Sequence, residues 1–410
     1  MKPYYTLLLI IGMTSLVASF LPIILRTFKI SFTVPLLVLG GLLFYLETPL
    51  PWPNPVWDID TTLKFSELVV IISLMVAGLK IGLNYSWKEW RNPFRLIGIT
   101  MPLFMFVVFI LAYYLLEFSG PVALLLAAIL APTDPALASD IQLNKKQEIG
   151  SKNVGVQYNL TAEAGLNDSL AFPFVFLAIL WSQHDSLDYQ QWKTWLGYYL
   201  VYKLTIGIIV GIAIGFTYSY LTTKMAQYKW LKIQKAFVAI SLTLISYGTA
   251  ELLEGYGFLS VFLTGLFAHY HKHAKNQSTE SEPSIGFITD VERFFIIFWM
   301  IFFGGSIVGG ILNFNTLSTL LFGSVLVLIV RPLLGYISLY KSGLNAKKKW
   351  AISFFGIRGI GSVFYLTYAI KHGNFSDINS LFSIVAFIIL VSIVLHGFTT
   401  KRLIPKLTND

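Results

Sequence analysis

The stretch Leu160-Thr161-Ala162-Glu163-Ala164-Gly165-Leu166-Asn167-Asp168-Ser169-Leu170-Ala171 decides how this chain is read. It places two carboxylates and a carboxamide inside an otherwise apolar segment running from about Gly155 to Trp181. At helical spacing Glu163 and Asn167 are i,i+4 neighbours, and Asp168 lies one step further round the same side. A charge at the centre of a membrane helix costs about 2.5–3.5 kcal/mol on insertion scales, so acids retained there mark a functional site.

The rest of the chain supports the membrane reading. It has 410 residues, 55% hydrophobic and 12% charged, which is outside the range of an ordinary soluble domain. Apolar runs of about 20 residues recur, each long enough to cross roughly 30 Å of hydrocarbon. Candidate spans are roughly 4–25, 32–47, 64–83, 95–117, 120–139, 155–182, 193–222, 233–253, 256–271, 290–312, 317–340, 349–371 and 378–400, about thirteen in all. The fold class is therefore an all-α polytopic membrane protein. The expected division is one transporter unit over residues 1–403 with a short cytoplasmic tail at 404–410.

Charge orients the spans. Alternate connections collect Lys and Arg: Arg26 and Lys29; Lys88, Arg91 and Arg95; Lys145, Lys146 and Lys152; Lys224 to Lys235; Lys272 and Lys275; Lys341 to Lys349; Lys401, Arg402 and Lys406. The other connections hold Glu47, Asp58, Asp60, Asp185, Asp188 and Asp377. The positive-inside rule then expects a multi-pass protein of the cell membrane, C-terminus cytoplasmic and N-terminus outside. It also explains the net charge of +9 without a nucleic-acid partner. Trp52, Trp57, Trp87, Trp90, Trp181, Trp192, Trp195, Trp230 and Trp350 fall at the proposed span ends, where interfacial rings are favoured, and Trp299 falls within a span. Met1-Lys2-Pro3 and the run after it read as an uncleaved first span.

The chain has no Cys, which excludes disulfides, thiolate catalysis and Cys-ligated metals. His269, His271 and His273 lie in a polar linker with no carboxylate spaced to complete a metal site, and read as solvated. No nucleophile–base pair or metal-ligand set stands out. The expectation is a transporter without a cofactor, not an enzyme.

Two spans are interrupted. The fifth contains Leu130-Ala131-Pro132-Thr133-Asp134-Pro135-Ala136, whose prolines remove the amide donors for the carbonyls of Ala128 and Ala131. The twelfth contains Phe355-Gly356-Ile357-Arg358-Gly359-Ile360-Gly361-Ser362, a poor helix with three glycines in six residues. Unwound backbone at membrane depth is tolerated only when buried in protein or lining a wet cavity. The breaks are seven spans apart, so the halves at about 4–182 and 233–400 read as an inverted repeat joined by a linker helix at about 193–222. Crossed discontinuous helices at matching places in two repeats are a secondary-transporter signature. Asp134 is placed to neutralise the N-terminal ends of the half-helices and Arg358 the C-terminal ends, and the two can also pair. The acids of the sixth span have no counterpart in the thirteenth, which carries Ser383, Ser392 and His396, so one site is expected.

With the Thr-Asp-Pro break, the Glu-x-x-x-Asn-Asp cluster and the Gly-x-Arg-Gly break in this order, the chain resembles the monovalent cation:proton antiporters. It is most like their Asn-Asp branch, which includes bacterial NhaP-type antiporters and animal sodium/proton exchangers. Ala77-Gly78-Leu79, Ala250-Glu251-Leu252, Gly257 to Leu263 and Arg331-Pro332-Leu333 extend the match over essentially the whole chain. The resemblance implies thirteen spans, a core domain moving against a dimerisation domain, and a homodimer. It also implies that Asp168 binds the cation, Na+ in the first instance, or the proton, with Asn167 and Thr133 shaping the site. Arg331 would pair with Glu163, and Arg358 with Asp134. Ala164 stands where the family often has Ser, which leaves ion selectivity open.

The residues then suggest exchange of Na+ or Li+ for H+ in competition at Asp168, electroneutral and one for one. Potassium/proton exchange is the alternative within antiport, and a cation-coupled solute symporter on the same scaffold is the alternative outside it. Glu251 and Glu254, near the outer end of the eighth span, read as interface residues in preference to a second ion site. Lys80 and Lys203 read as snorkelling side chains.

Overall fold

The computed structural model describes residues 2–46, 54–56, 58–81, 87–140, 155–184, 186–225, 235–268, 285–313 and 317–408. Every regular element among them is helical. In chain order these are α1 (Lys2–Phe28), α2 (Thr33–Tyr45), α3 (Ile59–Ile81), α4 (Glu89–Leu115), α5 (Gly120–Leu130) and α6 (Gly155–Ser182). There follow α7 (Tyr189–Met225), α8 (Lys235–Leu252), α9 (Gly257–Phe267), α10 (Ile285–Val308) and α11 (Leu317–Ser338). The last three are α12 (Ala346–Phe354), α13 (Ile360–His372) and α14 (Ile378–Thr408). Among the described residues seven helices, α3, α4, α6, α7, α10, α11 and α14, are long and apolar enough to cross a membrane. The protein is an all-helical polytopic membrane protein.

Burial ranks the helices. In α6, 78% of the most apolar stretch is buried inside the protein, against 22% in α7. The helix carrying Glu163, Asn167 and Asp168 is thus wrapped by protein, while α7 leaves most of its surface outward. Helices in lipid gain little from burying apolar surface against each other, so close contacts fall on small residues. Gly78 of α3 meets Gly265 of α9 this way. A Cβ on Gly78 would lie 2.4 Å from the Phe262 carbonyl, and one on Gly265 would lie 2.9 Å from the Met75 carbonyl.

Some expectations change. The fifth span, read as 120–139, is helical only to Leu130, with a short 3-10 turn at Leu137–Asp140 beyond the prolines. The twelfth, read as 349–371, is two helices separated by five non-helical residues, Phe355 to Gly359. Two tryptophans placed at the interface are buried instead. Trp90 packs edge-on against Tyr158 of α6, and Trp195 donates from Nε1 to the Pro173 carbonyl at 2.7 Å. A large ring near a span end can be taken up by a neighbouring helix, and position alone does not distinguish the two fates. Trp52, Trp57, Trp230 and the histidines at 269, 271 and 273 lie outside the described residues.

Spans four and eleven share a feature that periodicity does not show. α4 has a π turn at Leu96–Thr100 just before Met101-Pro102, and α11 has one at Leu326–Val330 just before Arg331-Pro332. Each proline lacks the amide an unbroken ladder needs, and the wider turn accommodates it. α4 and α11 also touch, through Thr100 Oγ1 donating to Ser338 Oγ at 2.6 Å.

The glycine contact gives a direct check. Gly265→Leu should lower thermal stability by ~3 kcal/mol or more, since the opposing atoms are backbone and cannot move aside. Gly98→Leu, with nothing within 4 Å of its Cβ position, should change stability little. A melting series on detergent-purified protein reads both.

Candidate ion-binding site

The site begins with carbonyls that have lost their helix partners. α5 stops at Leu130 because Pro132 and Pro135 offer no amide hydrogen. The Ala131 carbonyl instead accepts from Arg358 Nη1 at 2.5 Å, and the same nitrogen reaches the Pro132 carbonyl. The Ile129 carbonyl accepts from Ser362 Oγ at 2.8 Å. The exchange is mutual, because Asp134 N donates to the Ile357 carbonyl at 2.8 Å. Each break supplies what the other lacks.

Asp134 completes the crossing from the amide side. Its Oδ1 accepts from the amides of Ala136 at 2.8 Å and Leu137 at 3.1 Å, and its Oδ2 accepts from the Gly361 amide at 3.0 Å, in the first turn of α13. Only glycine fits at 359, since a Cβ there would be 2.4 Å from Asp134 Oδ2. The expected Asp134–Arg358 ion pair is therefore corrected. Arg358 serves the carbonyl ends and Asp134 the amide ends, and among the described residues no ion pair joins them. Each charge meets the helix end of opposite polarity, which satisfies more orphan backbone groups than a direct pair would. Phe104 also lies under the Arg358 guanidinium, at 4.8 Å from its ring centroid.

Beside this crossing α6 presents its polar side. Asn167 Nδ2 donates to Thr133 Oγ1 at 2.9 Å, tying α6 to the first break. The Tyr365 hydroxyl of α13 donates to the main-chain carbonyl of Asp168 at 2.7 Å, tying it to the second. The Asp168 carboxylate faces Gly361, whose Cβ position is 3.5 Å from Oδ1. Asp168 is 1% exposed, and neither carboxylate oxygen has a hydrogen-bond partner among the described residues; nor does Asn167 Oδ1. Three buried oxygen acceptors on adjacent residues of α6 are thus left without protein partners among the described residues. Such a set suits a proton or a hard monovalent cation and nothing bulky.

Glu163 is handled differently. Its Oε1 lies 2.5 Å from Arg331 Nη2, both side chains about 4% exposed. Arg331 follows the π turn of α11 and fits because residue 356 is glycine, where a Cβ would be 2.5 Å from Arg331 Nε. The structure thus brings together Thr133, Asp134, Glu163, Asn167, Asp168, Arg331 and Arg358.

Several participants were not assigned roles from sequence. Ser392 Oγ accepts from the Arg358 amide at 2.9 Å, and His396 Nε2 lies 3.0 Å from the Phe354 carbonyl at the end of α12. Both brace the second break from α14, and their one sequence signal was polarity inside an apolar run. Tyr365 carried no signal. Glu292 of α10, fully buried and within electrostatic reach of Lys80 of α3, also went unread; Lys80 is half-buried and does not simply snorkel.

Residues 15–406 match the family model for the sodium/hydrogen exchanger, transmembrane. The chain belongs to that family. It is a family of membrane transporters. Within reach of it, the chain is 23% identical over 401 residues to a Na(+)/H(+) antiporter of Saccharomyces cerevisiae, a match covering 88% of this chain and 39% of that protein. It is 24% identical over 362 residues to the K(+)/H(+) antiporter NhaP2 of Shewanella sp. strain MR-4, covering 85% and 58% respectively. The chain thus spans about two fifths of the first of these relatives and under three fifths of the second. The sodium proton antiporter MjNhaP1 from Methanocaldococcus jannaschii has the same fold, with a TM-score of 0.77 at 19% identity, over 99% of this chain and 98% of that one.

The buried pair makes a second check possible. Removing one partner of a buried ion pair leaves an uncompensated charge and costs about 3–5 kcal/mol. Arg331→Ala should destabilise the protein by that order, and Glu163→Gln added to it should recover much of the loss. Thermal melts of the two single variants and the double variant measure the coupling.

Proposed function

We propose that the protein is a secondary antiporter exchanging a monovalent cation for protons, with Asp168 carrying either in turn. The observation behind this reading is a fully buried carboxylate with both oxygens lacking partners, set against two crossed broken helices. An ionised acid left so is costly, because its desolvation is uncompensated. A proton or a small cation each removes that cost, so the two compete for one group. Asn167 adds an acceptor without adding charge, and Glu163 is neutralised by Arg331. The site therefore loads one positive charge of either kind, which makes the exchange electroneutral and one for one.

Alternating access of a core against a fixed scaffold would carry the loaded site across. The inverted repeat of 4–182 and 233–400 about the 193–222 linker is supported by the paired breaks and by the matching π turns of α4 and α11, again seven spans apart. We place the protein in the cell membrane as a homodimer, with the Lys-rich loops cytoplasmic. Na+ or Li+ is the first reading of the cation. K+ is the second, favoured by the likeness to the K(+)/H(+) antiporter NhaP2.

Competition at one acid has a pH signature. In reconstituted vesicles, Asp168→Asn should abolish proton-coupled cation exchange by more than ~100-fold. In the unaltered protein the cation KM should rise about tenfold for each unit of falling pH once the proton dominates, with kcat unchanged. Retained exchange in Asp168→Asn, or net charge movement during turnover, contradicts the reading.

A further inference from the structure

A polar cavity reaches α6 at Ser169, the residue after Asp168, on the side of the connection between α8 and α9, whose Gly255 and Tyr256 line it. Its volume is about 70 Å3, and it is lined by half-buried Glu67 of α3, Ser169 of α6, Tyr247 of α8, Glu251 of α8, which is exposed, and a set of aromatic rings. Ser169 follows Asp168 directly in α6. Its hydroxyl is fully buried and has no hydrogen-bond partner among the described residues. A buried hydroxyl left this way costs free energy unless something in the cavity engages it.

The two acids are held in place. Glu67 Oε1 accepts from the Tyr247 hydroxyl, and Glu251 Oε1 accepts from the Gly257 amide at 3.0 Å. Each has a second carboxylate oxygen beyond these bonds. Lys203 also lines the cavity, and among the described residues no ion pair joins it to either acid. Its Nζ donates to the main-chain carbonyl of Glu254 at 2.7 Å and sits 5.3–5.7 Å from the ring centroids of Phe176, Tyr198 and Tyr256. Glu254 itself accepts from the Tyr198 hydroxyl at 2.7 Å, at the exposed rim. Within the cavity two acidic side chains face one amine, a formal charge of minus one when all three are ionised.

We propose that this cavity is a waiting station for a partly hydrated monovalent cation, passed to or from Asp168 past Ser169. The proposal rests on Asp168 being the exchanging group. Carboxylate and hydroxyl oxygens are the donors a hard cation takes, and the net charge matches one such ion. The volume holds a cation with a few waters. It is far below the roughly 300 Å3 at which pockets for organic ligands begin. Phe172 lines the cavity one turn beyond Asp168 and Ser169, with its ring 5.2–6.0 Å from those of Phe176, Tyr256, Phe258, Phe364, Tyr365 and Tyr368. The station would fill from one membrane face only.

The test uses the full chain in everted and right-side-out vesicles, with Na+ and then K+ as probe cation. Glu67→Gln/Glu251→Gln should raise the cation KM about tenfold for entry from the face with the Lys-poor loops, and Ser169→Ala severalfold, each with a much smaller change from the opposite face. An unchanged KM at that face, or an equal rise at both faces, overturns the station. If the double variant fails to fold, Ser169→Ala carries the test alone. If Asp168→Asn still exchanges cations for protons, the proposed function falls first and this station with it. Asymmetric loss in the variants together with a dead Asp168→Asn supports both.

Discussion

The constraint on which the rest depends is the demand for hydrogen-bond partners in a backbone that stops being helical at membrane depth. Water cannot serve these groups inside hydrocarbon, and each one left unsatisfied costs several kcal/mol. The breaks after Leu130 and Phe354 meet the demand by exchange. Arg358 and Ser362 cover carbonyls of the first break, and Asp134 covers an amide of the second while its own amide reaches the Ile357 carbonyl. Neither interruption would be tolerable alone. Their crossing fixes where α5, α12 and α13 meet.

That crossing gives Asp168 its character. α6 is fastened to it on both sides, by Asn167 on Thr133 and by Tyr365 on the Asp168 carbonyl. Those bonds use the amide and the main chain, and they leave the Asp168 carboxylate with no protein partner among the described residues. Glu163, one turn earlier on the same helix, has Arg331 as a permanent countercharge. Two acids on one buried helix face thus come to differ in kind. One is balanced by Arg331, and the other has no hydrogen-bond or ion-pair partner for its carboxylate among the described residues.

The same logic separates the acids elsewhere. Glu292 is enclosed near Lys80, whereas Glu67 and Glu251 border a small cavity whose lysine is engaged with a carbonyl and three ring faces. Acids facing a cavity with surplus negative charge are suited to a mobile cation. An acid paired with a fixed cation, as Glu163 is with Arg331, is instead costly to leave without that partner.

Much of this was legible in the sequence. Long apolar runs, alternating loop charge, proline and glycine breaks and an acid cluster each report a local cost that hydrocarbon makes large, so they reveal membrane class, the approximate spans and the central helix. The partners were less legible. That Arg358 and Asp134 form no ion pair with each other, that Trp90 and Trp195 turn inward, that Tyr365, Ser392 and His396 brace the site, and that Glu292 is buried all depend on residues far apart in the chain. The sequence by itself determined which groups could not be left unsatisfied, because burial in an apolar helix penalises a polar atom wherever it sits. Only the tertiary structure decided which group satisfies which, because hydrogen bonds and ion pairs act over about 3 Å, and that proximity is set by how the helices cross.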